Sequence, residues 1–131
     1  LAHLTGEAAY EQAGVGALRL IRDAMAGAPS GFGHALCALD AYLSPVKEVA
    51  VVGDPVAEPT RALVAEVTTR RFSPNHVLAV ASPEDDASRQ AVALLRDRPQ
   101  RDGSPTAFVC EHFVCKLPVT EPADLAEQLG N

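Results

Sequence analysis

The stretch Val49-Ala50-Val51-Val52-Gly53-Asp54-Pro55 decides the fold class. Four consecutive apolar residues closed by a Gly-Asp-Pro turn read as a strand buried on both faces, and such strands belong to sheets with helices packed on each side. Downstream, a helix is predicted from about Pro59, a favoured first-turn residue, through Leu63, Val64 and Val67. It runs toward Arg70 and Arg71, whose cations suit a helix C-terminus. Phe72-Ser73-Pro74-Asn75 reads as a turn and His76 to Ala81 as a second buried strand. A helix over Asp85 to Arg96 follows, then a polar loop from Arg96 to Ser104. The segments Thr106 to Cys110 and Phe113 to Leu117 are β-rich, with Glu111-His112 between them as a tight turn. Thr120 is placed to cap a last helix ending at Leu129, with Gly130 at its C′ position.

Upstream the period is helical. From Thr5 to residue 26, Tyr10, Ala13, Ala17, Leu18, Ile21 and Met25 share one face, and Gly27 and Pro29 end the run. A second helix from Ser30 places Phe32, Ala35, Leu36, Leu39, Tyr42 and Leu43 at steps of three and four, stopped by Ser44-Pro45. The predicted class is therefore α/β. A helical hairpin over residues 1–44 precedes a small α/β domain over residues 45–131, with a mixed, mainly parallel sheet of about four strands.

At 131 residues the chain can bury a real core, about 65% of its unfolded surface. Its net charge of -6, with basic residues scattered among 17 acids, supplies no stripe to neutralise a row of phosphates, so nucleic acid is not an expected partner. The apolar runs fall far short of the roughly 20 residues that a bilayer span needs, so no membrane association is expected. Three cysteines are too few and too odd in number for a disulfide scaffold and fit a reducing, cytoplasmic compartment.

Two places carry candidate chemistry. In Cys110-Glu-His-Phe-Val-Cys115, a two-residue turn at Glu111-His112 sets Cys110 opposite Phe113 and Cys115 opposite Phe108. The thiols then form a diagonal pair about 7 Å apart, beyond the roughly 3.8 Å that an unstrained disulfide needs. The preferred reading is two buried free cysteines beside Phe108 and Phe113, and Cys110 and Cys115 stand as a redox pair only if the turn differs. Cys110, His112 and Cys115 could also offer thiolate and imidazole to zinc, with His76 or Cys37 as a fourth ligand. No second metal-binding motif supports that set, and neither metal nor cofactor is expected. Gly53 and Asp54 lie at the C-terminal end of a strand, where open α/β sheets place ligands, yet no phosphate-binding glycine motif accompanies them. The four histidines share no short spacing, and no catalytic residue is assigned.

Several motifs together resemble a known family. Leu4-Thr-Gly-Glu-Ala-Ala-Tyr10, Ala38-Leu-Asp-Ala-Tyr-Leu-Ser-Pro45 leading into Lys47-Glu-Val-Ala-Val-Val-Gly-Asp54, and Phe72-Ser-Pro-Asn75 are three of them. The fourth is Pro105-Thr-Ala-Phe-Val-Cys110 through Cys115-Lys-Leu-Pro-Val-Thr120. This set is similar to the C-terminal end of the thioredoxin-domain-containing family that includes spermatogenesis-associated protein 20. The resemblance implies an upstream thioredoxin-like domain and a helical toroid similar to six-hairpin glycosidases, with residues 1–44 as the toroid's last hairpin.

On that basis the expected function is that of a noncatalytic accessory segment. Its parent would be a larger protein of redox-linked or carbohydrate-related function, and its partner the remainder of that chain. Its exposed helical hairpin is expected to meet the parent or a second copy. The alternative is a redox segment that uses Cys110 and Cys115 in thiol–disulfide exchange with the parent's thioredoxin-like domain.

Overall fold

The computed structural model describes residues 1–112 and 114–130. Helices α1 (Ala2–Thr5), α2 (Ala8–Gly27) and α3 (Gly33–Leu43) lead into strand β1 (Lys47–Val52) and helix α4 (Glu58–Ala65). Strand β2 (His76–Ala81), helix α5 (Asp86–Ala91), strands β3 (Thr106–Glu111) and β4 (Val114–Cys115), and helix α6 (Pro122–Leu129) follow. Among the described residues these strands form one sheet in the order β2-β1-β3-β4.

The mixed four-stranded sheet expected from the sequence is present. It is not mainly parallel as expected: only β1·β2 is a parallel pair, while β1·β3 and β3·β4 are antiparallel because β3 enters beside β1 in the reverse direction and continues into a hairpin. The one parallel pair is joined through α4, the helical crossover that parallel strands require. Register places Val49 beside Leu78 on one side and Val109 on the other, so the two faces of the sheet alternate cleanly along all three strands.

One face carries Val49, Val51, Ala107 and Val109 against Leu63, Val67, Leu125 and Leu129 of α4, the turn after it, and α6. Leu63 and Leu125 are fully buried, and each such leucine contributes about 1.5–3 kcal/mol. The other face carries Ala50, Ala79, Ala81 and Cys110 under Leu94 and Leu95, with Leu4, Val77, Val92 and Phe108 at its margin. Small side chains on this face let the short turn Ala93–Leu95 and the two-sided plug Leu94-Leu95 sit close to the strands.

Local chemistry moves several predicted boundaries. The first helix does not run unbroken from Thr5. Gly6 takes φ 74° and ends α1, while Thr5 Oγ1 accepts the Glu7 N–H and α2 starts afresh. The helix predicted to Arg96 stops at Ala91 because Val92 is extended, and the chain continues as the 3₁₀ turn Ala93–Leu95. The Asp85 carboxylate caps α5 by accepting the Ser88 N–H at 3.0 Å. The predicted cap Thr120 is displaced by Glu121, with Pro122 in the first turn of α6.

Gly53 closes β1 where the chain has no room for a side chain. A Cβ there would lie 2.5 Å from Thr60 Oγ1 and 2.9 Å from Pro105 Cβ. Gly53→Ala is therefore expected to lower stability by about 1–3 kcal/mol. Urea unfolding checks this, and an unchanged midpoint would mean that Thr60 and Pro105 yield to the methyl group.

Candidate functional site

The β3–β4 hairpin builds the site. Glu111 pairs with Val114 and Cys110 with Cys115, so Glu111 belongs to the strand and not to the turn expected at Glu111-His112. His112 takes φ 51°, in the left-handed region that tight hairpin turns demand and that histidine enters more readily than most residues. The predicted pairing of Cys110 with Phe113 involves a residue outside those described. The Lys116 N–H donates to the Val109 carbonyl at 2.9 Å, which makes the next pair outward, Cys110 and Cys115, a non-hydrogen-bonded one. In such pairs the Cα atoms approach most closely.

The expectation of two unlinked, diagonal thiols is thereby corrected. Cys110 and Cys115 are joined in a disulfide, with S–S 2.10 Å and Cα–Cα 3.9 Å. Shifting the turn along the chain moves the partner of Cys110 from residue 113 to residue 115, which turns a diagonal relation into a direct one. The two sulfurs have unlike surroundings. Cys110 is 1% exposed within the sheet face, whereas Cys115 lies exposed on the edge strand.

Arg98 reaches this pair from the loop after Leu95. Asp97, with φ 56°, turns the chain so that the Arg98 side chain points inward. Its Nη1 donates to the carbonyls of Ala93 at 3.4 Å and Arg96 at 3.2 Å. Its Nη2 donates to Cys110 Sγ at 3.4 Å and Cys115 Sγ at 3.1 Å. The guanidinium carbon sits 5.9 Å from the Phe108 ring centre, a cation–π distance. Burial pushes the Arg98 pKa below its ordinary value, with the charges of Glu48 and Asp97 acting in the opposite direction. Among the described residues Arg98 forms no ion pair, and its Nε is buried without a hydrogen-bond partner.

Glu48 completes the cluster. It faces Cys110 directly across the β1·β3 ladder and is 1% exposed, with its Oε1 3.1 Å from Nδ1 of His3 in α1. Neither Arg98 nor Glu48 was among the residues singled out from sequence. Glu48 left a trace, a carboxylate at an inward position in an otherwise apolar strand, while nothing local distinguishes Arg98 from the other arginines of its polar loop.

The remaining candidates lie elsewhere. Gly53 and Asp54 occupy the opposite end of β1 from Glu48, and the Asp54 carboxylate accepts the Val56 N–H at 3.1 Å, shaping the turn it belongs to. His76 opens β2 and lines a separate cleft of about 640 Å³ with Lys47, Arg70 and Arg71. There, burial chiefly and the charge of Lys47 hold its pKa below the usual 6.5. Cys37 is an exposed free thiol on α3. Among the described residues no group of three or more His, Cys, Asp and Glu side chains is placed to hold a metal ion, and no helix is long and apolar enough to cross a membrane.

Comparison with known proteins agrees with the sequence motifs. The chain is 37% identical over 94 residues to human spermatogenesis-associated protein 20, covering 70% of this chain and 12% of that protein. The rat protein of that name is 30% identical over 128 residues, covering 96% of this chain and 16% of its relative. The chain belongs to the spermatogenesis-associated protein 20 family. It spans 12–16% of the length of these curated relatives. No protein-family model matches it, and neither does any solved structure.

For this member of the family, alkylation of the native, unreduced protein is expected to label Cys37 alone, and reduction should bring Cys110 and Cys115 into the labelled set. Mass spectrometry of the tryptic peptides reads the result. Free labelling of all three thiols before reduction would exclude the disulfide.

Proposed function

We propose that this chain acts as an accessory C-terminal segment of a larger thioredoxin-domain-containing protein and that Cys110 and Cys115 form its working thiol–disulfide pair. The observation that carries this reading is the asymmetry of the two sulfurs. An attacking thiolate must approach a disulfide sulfur along the S–S axis, and the solvent-facing Cys115 offers that access while the buried Cys110 does not. Thioredoxin-type pairs share this division between an accessible and a shielded sulfur. We propose a cytoplasmic location as part of the same reading, since disulfides of reducing compartments are mostly transient, catalytic or redox-sensing. The parent's own thioredoxin-like domain is the exchange partner we favour.

The redox test uses the native chain in a series of glutathione mixtures, with the disulfide fraction read by quenched alkylation. The pair is expected to interconvert reversibly, and Cys37→Ser should leave its midpoint unchanged. A disulfide that no mixture reduces without denaturant would sink the proposal.

The accessory part of the reading rests on a different observation. Helix α2 buries only Met25 and α3 buries none of its residues, although both carry apolar faces. Between them and α1 lies a cleft of about 600 Å³ lined by Tyr10, Val15, Leu18, Ile21 and Tyr42 among others. Relatives several times longer than this chain would supply the surface that covers it. A carbohydrate-related role of the parent rests on the family resemblance alone. With the upstream part of the protein supplied as a separate polypeptide, Leu18→Arg/Ile21→Arg is expected to abolish association while leaving the sheet's unfolding transition in place. Binding retained by that double variant would remove the helical face from the proposed contact.

A further inference from the structure

Arg98 is a buried cation whose contacts with the intact disulfide are weak. A guanidinium withdrawn from water costs several kcal/mol unless a charge or a full set of acceptors replaces its hydration. Here the residue is 9% exposed. Its acceptors among the described residues are two backbone carbonyls at 3.2–3.4 Å and two disulfide sulfurs. Neutral sulfur is a weak acceptor, so although the charges of Glu48 and Asp97 favour the cation, its direct contacts with the intact disulfide add little. Reduction changes this. A thiolate at the same place would accept a charge-assisted hydrogen bond from Nη2 and neutralise the buried charge.

The second charge nearby breaks the symmetry of the pair. Glu48 stands directly opposite Cys110 on the same sheet face, and a carboxylate there opposes a thiolate on Cys110. Cys115 is one strand further from Glu48, nearer to Arg98 Nη2 and open to solvent. The other charged or titratable groups around the pair are Asp97, which adjoins Arg98 and favours its cation, His3, which meets Glu48, and Glu111, His112 and Lys116, which lie exposed along the hairpin.

We infer that Arg98 is the thiolate-stabilising residue of this site, that it selects Cys115 as the attacking sulfur, and that Cys110 beside Glu48 is held protonated as the resolving thiol. The inference rests on the exchange reading above and names its working parts. In the oxidising direction the Cys115 thiolate attacks one sulfur of a partner disulfide R–S–S–R′. A Cys115–S–S–R bond forms, the partner's S–S bond breaks, and R′S⁻ leaves and takes a proton from water. Cys110 then attacks Cys115 Sγ, its proton passing to the departing RS⁻. The products are the Cys110–Cys115 disulfide and two partner thiols, with two electrons moved from the dithiol to the partner. The reverse sequence reduces the pair at the expense of a partner dithiol.

The test is the pH–rate profile of iodoacetamide alkylation on the reduced native chain, resolved for each cysteine by mass spectrometry. Cys37 serves as an internal reference, being an exposed thiol on α3 away from the cluster. The Cys115 profile is expected to reach half-maximum about one pH unit or more below that of Cys37, with Cys110 above both. Arg98→Met should slow Cys115 about tenfold at neutral pH, Arg98→Lys should restore most of the loss, and Glu48→Gln should shift the Cys110 profile downward. Coincident Cys115 and Cys37 profiles in the wild-type chain would overturn the assignment, even if Arg98→Met failed to fold. So would a folded Arg98→Met variant with an unchanged Cys115 profile. These outcomes are separate from failure of the exchange reading, which would appear as a disulfide inert to every glutathione mixture.

Discussion

Strand β1 is the constraint on which the other elements depend. It is hydrogen-bonded along its length to β2 on one side and β3 on the other, and each sheet face above it is covered. A central strand leaves no edge to solvent, so its polar backbone is satisfied only if both neighbours keep register. A slip of one residue would send Val49 and Val51 to the face of the Ala93–Leu95 turn and drive Glu48 into the cluster with Leu63 and Leu125. The valine face accepts whole helices, α4 and α6. The opposite face, built from Ala50, Ala79 and Ala81, accepts a short turn and the margin of α1.

That same register delivers charge to the hairpin. Pairing Val49 with Val109 obliges Glu48 to face Cys110, and pairing Glu111 with Val114 obliges Cys110 to face Cys115. A buried carboxylate and a buried guanidinium both cost solvation energy, and neither is needed to fill the apolar cluster beside them. The two opposite charges favour one another across the sulfurs. The N-terminal residues are tied into this arrangement, since His3 meets Glu48 and Leu4 packs at the margin of the same face.

The other face of the sheet at this same end follows a different logic. Lys47 donates to the Gln128 and Leu129 carbonyls, and Arg71 donates to the Gly130 carbonyl at 2.9 Å. These cations answer the unsatisfied carbonyls at the end of α6, as a helix C-terminus requires. The buried Glu66 pairs with Arg70 and Arg71 where α4 loosens into a π turn. Lys47, Glu66, Arg70 and Arg71, which line this cleft, thus have structural duties already.

Within the sequence, the buried strands, the helices and the mixed sheet were legible because they rest on local pattern. The run Val49 to Val52 and the segment His76 to Ala81 record burial within a few residues, and the spacing from Tyr10 to Met25 records a helical period. The family was legible too, since short motifs spread along the chain carry it together. The disulfide was not, because it turns on whether Glu111 belongs to the turn or to the strand, and Glu-His-Phe holds no glycine or asparagine to mark the place. Arg98 was hidden for a related reason, as the sulfurs it meets lie 12 and 17 residues away. Local sequence determined which stretches are strands, helices and core. Only the tertiary structure decided what faces Cys110, because cross-strand register and the path of a polar loop are set by the packing of distant segments.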